Sequence, residues 1–356
     1  MTPGFWRGRR VLVTGHTGFK GGWLCLWLRQ LGADVAGYAL APDTEPSLFE
    51  AAEVRSAVRS TIGDVRDAEA LARAVRGHEP EFVFHLAAQA LVRRSYAQPA
   101  ETFATNVMGT VNALEAARGC ASVRAVVIVT SDKCYENRER ARGYRESDAL
   151  GGGDPYSASK ACAELAVQAW RLSFSGDGRA PLVASARAGN VLGGGDWAQD
   201  RLLPDIVHAL ARGEPAGIRN PASTRPWQHV LDPLAGYLLL AQRLYEDGPA
   251  VAGAWNFGPR PGEARTVRWI ADKACRRWGA GARWQADGTA PRPHEARRLG
   301  LDAAKARRRL GWRPRLSVED AVGWTVDWYK AYQSEPAGAR RLTEEQIARF
   351  QDGRSR

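Results

Sequence analysis

Short apolar runs alternate with amphipathic segments along the first half of the chain. This alternation predicts parallel strands joined by helices, because a parallel strand is buried on both faces and needs a helical crossover to its neighbour. The predicted fold class is therefore α/β, a doubly wound parallel sheet with helices on both faces. The predicted strands are residues 10–14, 35–39, 58–62, 82–86, 125–129 and 182–186, and a helix is predicted over residues 23–31.

Length and changing composition predict more than one structural unit. At 356 residues the chain is too long for one small core, so we expect a large α/β unit with a smaller C-terminal lobe. Beyond residue 188 the sequence becomes rich in Gly, Pro, Trp and Arg. We interpret residues 1–188 as a cofactor domain, 189–335 as mainly a substrate lobe with some segments returning to the first domain, and 336–356 as a tail. Only the stretch after residue 333 looks loosely attached.

Composition argues against several classes of protein. Apolar residues at 44% and charged residues at 25% are ordinary for a soluble globular protein. The N-terminal apolar run is too short for a secretory segment and no run could span a membrane, so we expect a cytoplasmic protein without a membrane partner. The five cysteines form no CxxC pair and the six histidines show no ligand spacing. We therefore predict neither a disulfide framework nor a metal site.

The net charge of +11 raises the question of a nucleic-acid partner. The arginines are spread along the chain, with no unbroken basic run longer than residues 307–309. A compositional bias toward arginine explains this charge, and no nucleic-acid partner is predicted. Lysine is scarce, yet Lys20, Lys133 and Lys160 all lie in the motifs described below. At these positions a titratable amine can perform chemistry that a guanidinium cannot.

The first predicted strand runs directly into a GxxGxxG turn that opens a helix. Glycines let the backbone approach a pyrophosphate, which then lies at the positive end of the helix. This order of strand, turn and helix predicts a Rossmann-type dinucleotide site, with a merely tight turn as the alternative. The residues of the turn that we predict to bind the cofactor are Gly15, Thr17, Gly18, Phe19, Lys20 and Gly21.

Later strands add further positions to the predicted cofactor site. Asp64 would receive the adenine amine, although a helix N-cap is an equally good interpretation of this residue. Ala87 and Ala88 would let the cofactor lie close to the sheet. The second strand ends at residues 37–40 with no acid for a ribose 2′-hydroxyl and no arginine for a 2′-phosphate. The choice between NAD and NADP is thus weakly determined, and we favour NAD.

A second group of residues carries titratable side chains. Ser131, Asp132 and Lys133 follow the fifth predicted strand, and Tyr156 and Lys160 come about two dozen residues later. Because residues four apart share one helical face, an ammonium near the phenol would lower its pKa toward neutrality and make it a general base. Taken alone, the tyrosine–lysine pair could also belong to an ordinary solvated helix face.

Together these motifs resemble those of the extended short-chain dehydrogenase/reductase family of NAD-dependent epimerases and dehydratases. More narrowly, the chain resembles the CDP-glucose 4,6-dehydratase branch, over residues 5 to about 328. Generic dehydratases of the family usually carry Asp-Glu where this chain has Asp132-Lys133, a substitution typical of the CDP-glucose branch. The most specific matches are residues 15–21, 37–42, 130–137, 187–191, 193–197 and 225–230.

The resemblance implies a redox-neutral dehydration of CDP-glucose with NAD as cofactor. Tyr156 as phenolate would take the proton of the 4-hydroxyl, and Ser131 would hydrogen-bond the same oxygen. Lys160 would lower the pKa of Tyr156 and hold the nicotinamide ribose. Asp132 would protonate the departing 6-hydroxyl, and Lys133 would take the C5 proton as a free amine. Alternatively, Lys133 only orients Asp132 or the substrate while another group moves the C5 proton.

The resemblance also assigns residues of the second lobe to the sugar nucleotide. Arg225 and Arg292 match positions that clamp phosphates, where the forked donors of a guanidinium suit the geometry. Arg201 would reach phosphate or base, unless it is a surface arginine paired with Asp200 or Asp205. The predicted substrate-binding residues are Asn190, Arg201, Arg225, Trp227 and Arg292.

Assembly and biological role also follow from the resemblance. The family usually self-associates through helices similar to residues 102–118 and 155–172, so a homodimer or homotetramer is expected. The family's 4-keto-6-deoxy product feeds deoxysugars of surface polysaccharides and glycosylated metabolites.

Other functions share part of this pattern. Another sugar-nucleotide 4,6-dehydratase, or a 4-epimerase of the same family, is the nearest alternative. An epimerase shares Tyr156, Lys160 and Ser131 but needs neither an acid nor a C5 base, so Asp132-Lys133 argues against it. Cofactor-sensing or nucleic-acid-binding proteins on this fold often lose the catalytic tyrosine or lysine, and both are present here.

Overall fold

A seven-stranded parallel sheet forms the centre of the computed structural model, which describes residues 2–174, 180–287 and 296–353. The strands are β1 (Arg10–Thr14), β2 (Asp34–Ala39), β3 (Arg59–Ile62), β4 (Phe82–His85), β5 (Ala125–Val129), β6 (Leu182–Ala188), β7 (Val191–Leu192), β8 (Ala216–Ile218), β9 (Thr224–Arg225), β10 (Gln228–His229), β11 (Ala254–Phe257), β12 (Arg265–Thr266) and β13 (Trp284–Ala286). Across the central sheet the order is β3-β2-β1-β4-β5-β6-β11, with every neighbouring pair parallel.

Helices cover both faces of this sheet. They are α1 (Phe19–Gln30), α2 (Leu48–Ala51), α3 (Val54–Ala57), α4 (Ala68–His78), α5 (Val92–Ala97), α6 (Pro99–Phe103), α7 (Gly109–Arg118), α8 (Pro155–Phe174), α9 (Leu202–Ala211), α10 (Leu231–Asp247), α11 (Val267–Trp278), α12 (Ala304–Arg309), α13 (Val318–Ser334) and α14 (Ala339–Gln351). A π-helical turn over Ala104–Met108 joins α6 to α7.

The predicted fold class is confirmed, and the six predicted strands are six of the seven in the central sheet. β1 and β5 have the predicted bounds, and β6 continues to Ala188. α1 begins at Phe19 rather than at residue 23, because it starts directly from the glycine turn at Gly18. The strand order reverses between β1 and β4, the place where ligands bind in open α/β sheets.

A second apolar core lies outside the sheet. It is built mainly from α9, α11 and α13, with Leu203, Ile270 and Val322 among its fully buried side chains. By contrast, α10 and β11 pack into the large core beside the sheet. The chain thus leaves the first unit and returns to it, which agrees with the sequence interpretation, although the domain boundaries themselves stay an interpretation.

The C-terminal segment is packed, so the expectation of a loosely attached end after residue 333 is wrong. α14 buries Ile347 and Phe350. The Phe350 ring meets Trp27 of α1 edge-on, with 5.6 Å between ring centroids. Arg315 donates a hydrogen bond of 2.7 Å to the Phe350 carbonyl oxygen. The polar sequence of this helix concealed a narrow apolar stripe that faces α1.

Candidate active site

A cavity of about 290 Å³ lies where the carboxyl ends of the strands meet the second lobe. Its floor comes from segments that follow β1, β5 and β6, and its opposite wall from α9, β8 and β9. Most of the predicted catalytic and substrate-binding residues therefore share one space. The predicted site residues that line it are Lys20, Ser131, Asp132, Lys133, Tyr156, Asn190, Arg201, Arg225 and Trp227.

The glycine turn fits a dinucleotide pyrophosphate. Gly15 has φ +78°, and a Cβ there would lie 2.7 Å from the Ala87 backbone nitrogen. A Cβ on Gly21 would lie 2.0 Å from the Gly15 carbonyl oxygen, so both positions require glycine. Gly18 is the N-cap of α1 and provides no capping side chain. The first N–H groups of α1 are consequently left for an anionic ligand.

The remaining residues of the turn face different surroundings. Thr17 Oγ1 donates a hydrogen bond of 2.8 Å to the Leu40 carbonyl oxygen, which ties the turn to the end of β2. Phe19 packs against Gly193, where a Cβ would come within 2.8 Å of the ring. Lys20 lines the cavity itself. Cofactor binding by these three side chains stays a prediction.

Asp64, Ala87 and Ala88 follow β3 and β4 at the same edge of the sheet. The Asp64 carboxylate accepts hydrogen bonds from the backbone nitrogen (2.9 Å) and Nε (2.8 Å) of Arg66. The N-cap of α4 is Asp67, so the N-cap interpretation of Asp64 is wrong. The Ala87 nitrogen donates to Thr14 Oγ1, which keeps the end of β4 close to Gly15. Their contacts with a cofactor stay predictions.

Asp132 is a buried carboxyl group with a free oxygen. It begins a 3₁₀ turn after β5, and only 3% of its surface is exposed. Burial raises its pKa, an effect that the charge of Lys133 and a hydrogen bond from Ser131 only partly offset. Oδ1 accepts that hydrogen bond at 3.1 Å, whereas Oδ2 is buried without a partner in the described part of the chain. A carboxyl group in this state is suited to donate a proton.

The Tyr156 phenol is also buried, in the first turn of α8. Burial raises its pKa to about 12, although a hydrogen bond with Ser131 and the charge of Arg201 oppose the rise. The predicted pKa near neutrality is therefore wrong for the protein groups alone. The sequence placed a cation one turn away but could not show how strongly burial disfavours the phenolate.

Lys20 and Lys160 both have lowered pKa values. Burial lowers the pKa of Lys160 to about 8, and its ammonium group donates a long hydrogen bond of 3.5 Å to the Val129 carbonyl oxygen. Burial and the charges of Arg201 and Lys160 lower the pKa of Lys20 to about 8. Lys133 is only partly buried, and its backbone nitrogen donates to Ser131 Oγ. The catalytic roles of Lys133 and Lys160 stay predictions.

Arg201 faces the cavity and is paired with an acid that the sequence analysis did not assign. Its Nη1 lies 2.7 Å from Asp196 Oδ2. Asp200 and Asp205, its suggested partners, instead form ion pairs with Arg219. The interpretation of Arg201 as a surface arginine bound to these two acids is therefore wrong.

The other predicted substrate-binding residues within the described part of the chain all line the cavity, and two of them are fixed by hydrogen bonds to backbone carbonyl oxygens. The Arg225 guanidinium is held by backbone carbonyl oxygens, with Nη2 donating to Ala296 at 2.6 Å. Trp227 Nε1 donates to the Arg265 carbonyl oxygen, so the indole is fixed with its ring beside the cavity. Asn190 lines the same wall. Arg292 lies outside the described residues. Contact of each with a substrate stays a prediction.

Several cavity residues escaped the sequence analysis. Asp196 lies in the matched run 193–197, which was the one signal that could have identified it. Arg93 forms an ion pair with Asp200 at 3.4 Å and links α5 to the second lobe at the cavity. Arg219 joins Asp200 to Asp205. Nothing in the sequence pattern distinguishes Arg93 or Arg219 from the many other arginines.

Within residues 2–174, 180–287 and 296–353, no group of three His, Cys, Asp or Glu side chains is placed to hold a metal ion. In that part of the chain no helix is long and apolar enough to cross a membrane.

The fold and the site define the class: an extended short-chain dehydrogenase/reductase, with a cofactor sheet and a second lobe on either side of the cavity. The chain belongs to the family described as GDP-mannose 4,6 dehydratase, whose sequence profile matches residues 12–325. A CDP-glucose 4,6-dehydratase from Salmonella typhimurium is 53% identical over 332 residues, which cover 92% of each chain. The resemblance inferred from the motifs is confirmed.

Solved structures of relatives share the fold. The dTDP-glucose 4,6-dehydratase of Streptomyces venezuelae, solved with NAD bound, has a TM-score of 0.76 at 29% identity and covers 92% of this chain and 99% of its own. A UDP-glucose 4-epimerase of Thermus thermophilus in complex with NAD has a TM-score of 0.78 at 27% identity and covers 90% and 99%. One fold thus serves both dehydratases and epimerases, and the site must decide between them.

Proposed function

We propose that this chain is an NAD-dependent CDP-glucose 4,6-dehydratase, which converts CDP-glucose to CDP-4-dehydro-6-deoxyglucose with loss of water. Two observations support the substrate and the cofactor. The first is the 53% identity to a CDP-glucose 4,6-dehydratase along nearly the whole chain. The second is a glycine turn whose uncapped helix fits a dinucleotide pyrophosphate, and two relatives of the same fold were solved with NAD.

The reaction needs one redox carrier and four proton transfers, the last of which returns a proton to C5. Bound NAD supplies a hydride acceptor at C4 that later serves as the donor to C6. As the phenolate, Tyr156 takes the proton of the 4-hydroxyl, and Ser131, hydrogen-bonded to the Tyr156 side chain, holds the same oxygen. The C5 proton, made acidic by the 4-ketone, passes to Lys133, and Lys133 returns a proton to C5 when C6 receives the hydride. Asp132 protonates the 6-hydroxyl as it leaves.

The observation that carries this proposal is the carboxyl group of Asp132. An epimerase has no leaving group to protonate, so a buried acid with a raised pKa and an unpartnered oxygen beside Ser131 would be a liability there. In a dehydratase the same carboxyl group is the general acid that elimination requires. The site chemistry therefore favours dehydration over epimerisation.

The second lobe holds the nucleotide in this proposal. Arg225, Arg201 and Asn190 line the cavity beyond the reacting groups. Guanidinium groups at these positions suit the two phosphates. The assignment of Arg292 to the same phosphates comes from the family resemblance alone. We further propose a cytoplasmic homodimer or homotetramer that assembles through α6–α8, where Met108, Leu165 and Leu172 expose apolar side chains.

The test is a product analysis with matched substrates. The purified protein, with and without added NAD, is incubated with CDP-glucose and in parallel with UDP-, dTDP- and GDP-linked sugars, and products are followed by mass spectrometry. We expect loss of one water from CDP-glucose without net formation of reduced cofactor. A dehydrated product from another nucleotide only would refute the substrate. An unchanged mass with a changed sugar configuration would identify an epimerase, and no turnover of any sugar nucleotide would refute the enzyme.

A further inference from the structure

The segment that carries Ser131, Asp132 and Lys133 is held at its first residue by a buried carboxylate. Thr130 Oγ1 donates a hydrogen bond of 2.5 Å to Glu164 Oε1. Glu164 lies on α8, four residues after Lys160 and eight after Tyr156, so all three share one face of the helix. The Glu164 carboxylate thus links α8, which carries Tyr156, to the segment that carries Asp132.

A buried arginine holds the other end of this segment. Arg187 Nη1 donates a hydrogen bond of 2.8 Å to the Tyr135 hydroxyl, and its guanidinium lies over the Tyr135 ring at 4.9 Å from the centroid. Through Nη2 the same guanidinium binds Glu164 Oε2 at 2.6 Å. One ion pair therefore reaches Thr130 at one end and Tyr135 at the other.

Both members of the ion pair are removed from water and both remain charged. The side chains are 4% exposed for Arg187 and 1% for Glu164. Burial acts to raise the pKa of Glu164, but the charge of Arg187 and hydrogen bonds from Thr130 and Ser185 lower it overall. The charge of Glu164 likewise raises the pKa of Arg187 against burial. A buried ion pair contributes little net stability, because the free-energy cost of desolvating both charges offsets most of their attraction.

We propose that Glu164 and Arg187 are positioning residues for dehydration, holding the segment from Ser131 to Lys133 in register with Tyr156 and Lys160. This inference rests on the proposed dehydratase function. Neither side chain touches the cavity, so both act through Thr130 and Tyr135. Elimination needs the acid placed to well under an ångström relative to a substrate bound at Tyr156, and a buried ion pair with defined hydrogen bonds supplies that rigidity.

We call the Glu164–Arg187 ion pair, with its hydrogen bonds to Thr130 and Tyr135, the clamp. Either of these two hydrogen bonds can be removed without breaking the ion pair. Thr130→Val removes the hydroxyl that binds Glu164, and Tyr135→Phe removes the hydroxyl that binds Arg187. Ser185→Ala is the matched control for the first, because Ser185 Oγ also donates to Glu164, at 2.8 Å, but lies on β6 away from the catalytic segment. Tyr144→Phe is the control for the second, since Tyr144 stacks on Tyr135 without bonding the ion pair. Thr130→Ser restores the hydroxyl.

The steady-state kinetics of CDP-glucose dehydration are measured for all five variants. We expect kcat to fall about tenfold for Thr130→Val and for Tyr135→Phe with KM changed less than about twofold, because the acid is displaced while the nucleotide site is intact. Thr130→Ser, Ser185→Ala and Tyr144→Phe are expected to keep kcat within about twofold of the unchanged protein. Equal losses in a variant and its control would mean a merely structural role and overturn the proposal.

Backbone hydrogen exchange makes the test independent of turnover. Exchange of the peptide that contains residues 131–135 is followed by mass spectrometry in each variant. We expect faster exchange there for Thr130→Val and Tyr135→Phe, with the three other variants unchanged. Should the unchanged protein turn over no sugar nucleotide, the proposed function fails while the exchange result still decides on the clamp. Unaltered exchange in both Thr130→Val and Tyr135→Phe would refute the positioning role of Glu164 and Arg187.

Discussion

Ser131 Oγ donates a hydrogen bond of 3.1 Å to Oδ1 of Asp132, while Oδ2 of the same carboxyl group is buried and has no partner in the described part of the chain. The two oxygens of one side chain are thus used differently. Oδ1 is fixed by its neighbour, which sets the orientation of the group. Oδ2 is available to a substrate hydroxyl, and its burial favours the protonated form.

Replacing Asp132 by Asn is expected to separate oxidation from elimination. The amide keeps the shape of the side chain but cannot protonate the 6-hydroxyl, so dehydration should fall about 10²-fold or more. Oxidation at C4 does not need the acid, so the absorbance of reduced nicotinamide should accumulate when CDP-glucose is added. Glu136→Gln, an exposed carboxylate on the same segment, should leave both signals unchanged. If Asp132→Asn dehydrated CDP-glucose as fast as the unchanged protein does, Asp132 could not be the general acid.

The two roles considered for Lys133 make opposite predictions for Lys133→Arg. An arginine keeps the positive charge beside Asp132 but cannot act as a base. If Lys133 takes the C5 proton, as we propose, both Lys133→Arg and Lys133→Met should lose dehydration by about 10²-fold or more. The measurement is product formation in heavy water, with deuterium at C5 read by mass spectrometry. Substantial activity in the Arg variant with loss in the Met variant would show that Lys133 only orients its neighbours.

The Tyr156 phenol is expected to ionise far above neutrality in the free enzyme. Burial raises its pKa to about 12, so the protonated form dominates below that pH. Ultraviolet difference spectra of tyrosinate, compared with Tyr156→Phe, would isolate this group. We expect NAD to lower the midpoint, because a cationic ring next to the phenol favours the phenolate. A midpoint near pH 7 without cofactor would contradict the structure.

Most of the fold could be predicted from the sequence because it depends on local patterns. The strands β1 and β5 are continuous apolar runs. β1 ends at the glycine turn and β5 ends before Thr130, and the bounds of both strands were predicted to the residue. α14 was missed because its few apolar residues are scattered among charges, and only the surface of α1 shows what they pack against. Long-range packing of this kind leaves no local signal.

The grouping of the candidate catalytic residues was predictable for a different reason. Ser131, Asp132 and Lys133 are adjacent in sequence, and Tyr156 and Lys160 are one helical turn apart, so spacing alone brings each set together. The contacts between distant segments were not predictable. The sequence suggested Asp200 or Asp205 as the partner of Arg201. In the structure Arg201 instead forms its ion pair with Asp196, which lies in the preceding loop. The raised pKa of the phenol likewise depends on burial that no spacing reveals.

Asp232 is expected to make stability depend on pH. It is buried, accepts a hydrogen bond of 2.6 Å from the Arg315 nitrogen, and has its pKa raised by burial to about 7. Because the folded state holds this proton more tightly than the unfolded state, its contribution to stability is complete below about pH 4 and is lost as the pH rises to about 7.

Urea unfolding of Asp232→Asn at several pH values would measure this effect. The amide cannot ionise, so the free energy of unfolding of the variant, relative to the unchanged protein, should rise by roughly 1–3 kcal/mol between pH 4 and pH 7.5. Asp247→Asn, at the exposed end of the same helix, is the control. A difference that stays constant with pH would contradict the assignment.

Removing the Phe350 ring should destabilise the protein, because the packed C-terminal helix depends on it. Phe350 is 3% exposed and meets Trp27 of α1. Phe350→Ala is expected to cost about 3–5 kcal/mol of unfolding free energy, as for other buried aromatic side chains. Glu345→Ala, on the exposed face of the same helix, should cost less than about 0.5 kcal/mol. Equal urea midpoints for the two variants would mean that α14 is not part of the folded core.

The two walls of the cavity belong to different stretches of chain, and this has a consequence for how such enzymes diversify. The groups that we propose for proton transfer come from the segment after β5 and from α8, whereas the described groups that we propose for the nucleotide come from residues 189–227. A new nucleotide can be accommodated by changing the second stretch while the first is inherited intact. Grafting the second stretch from a relative with another nucleotide is thus a natural route to new specificity in the laboratory.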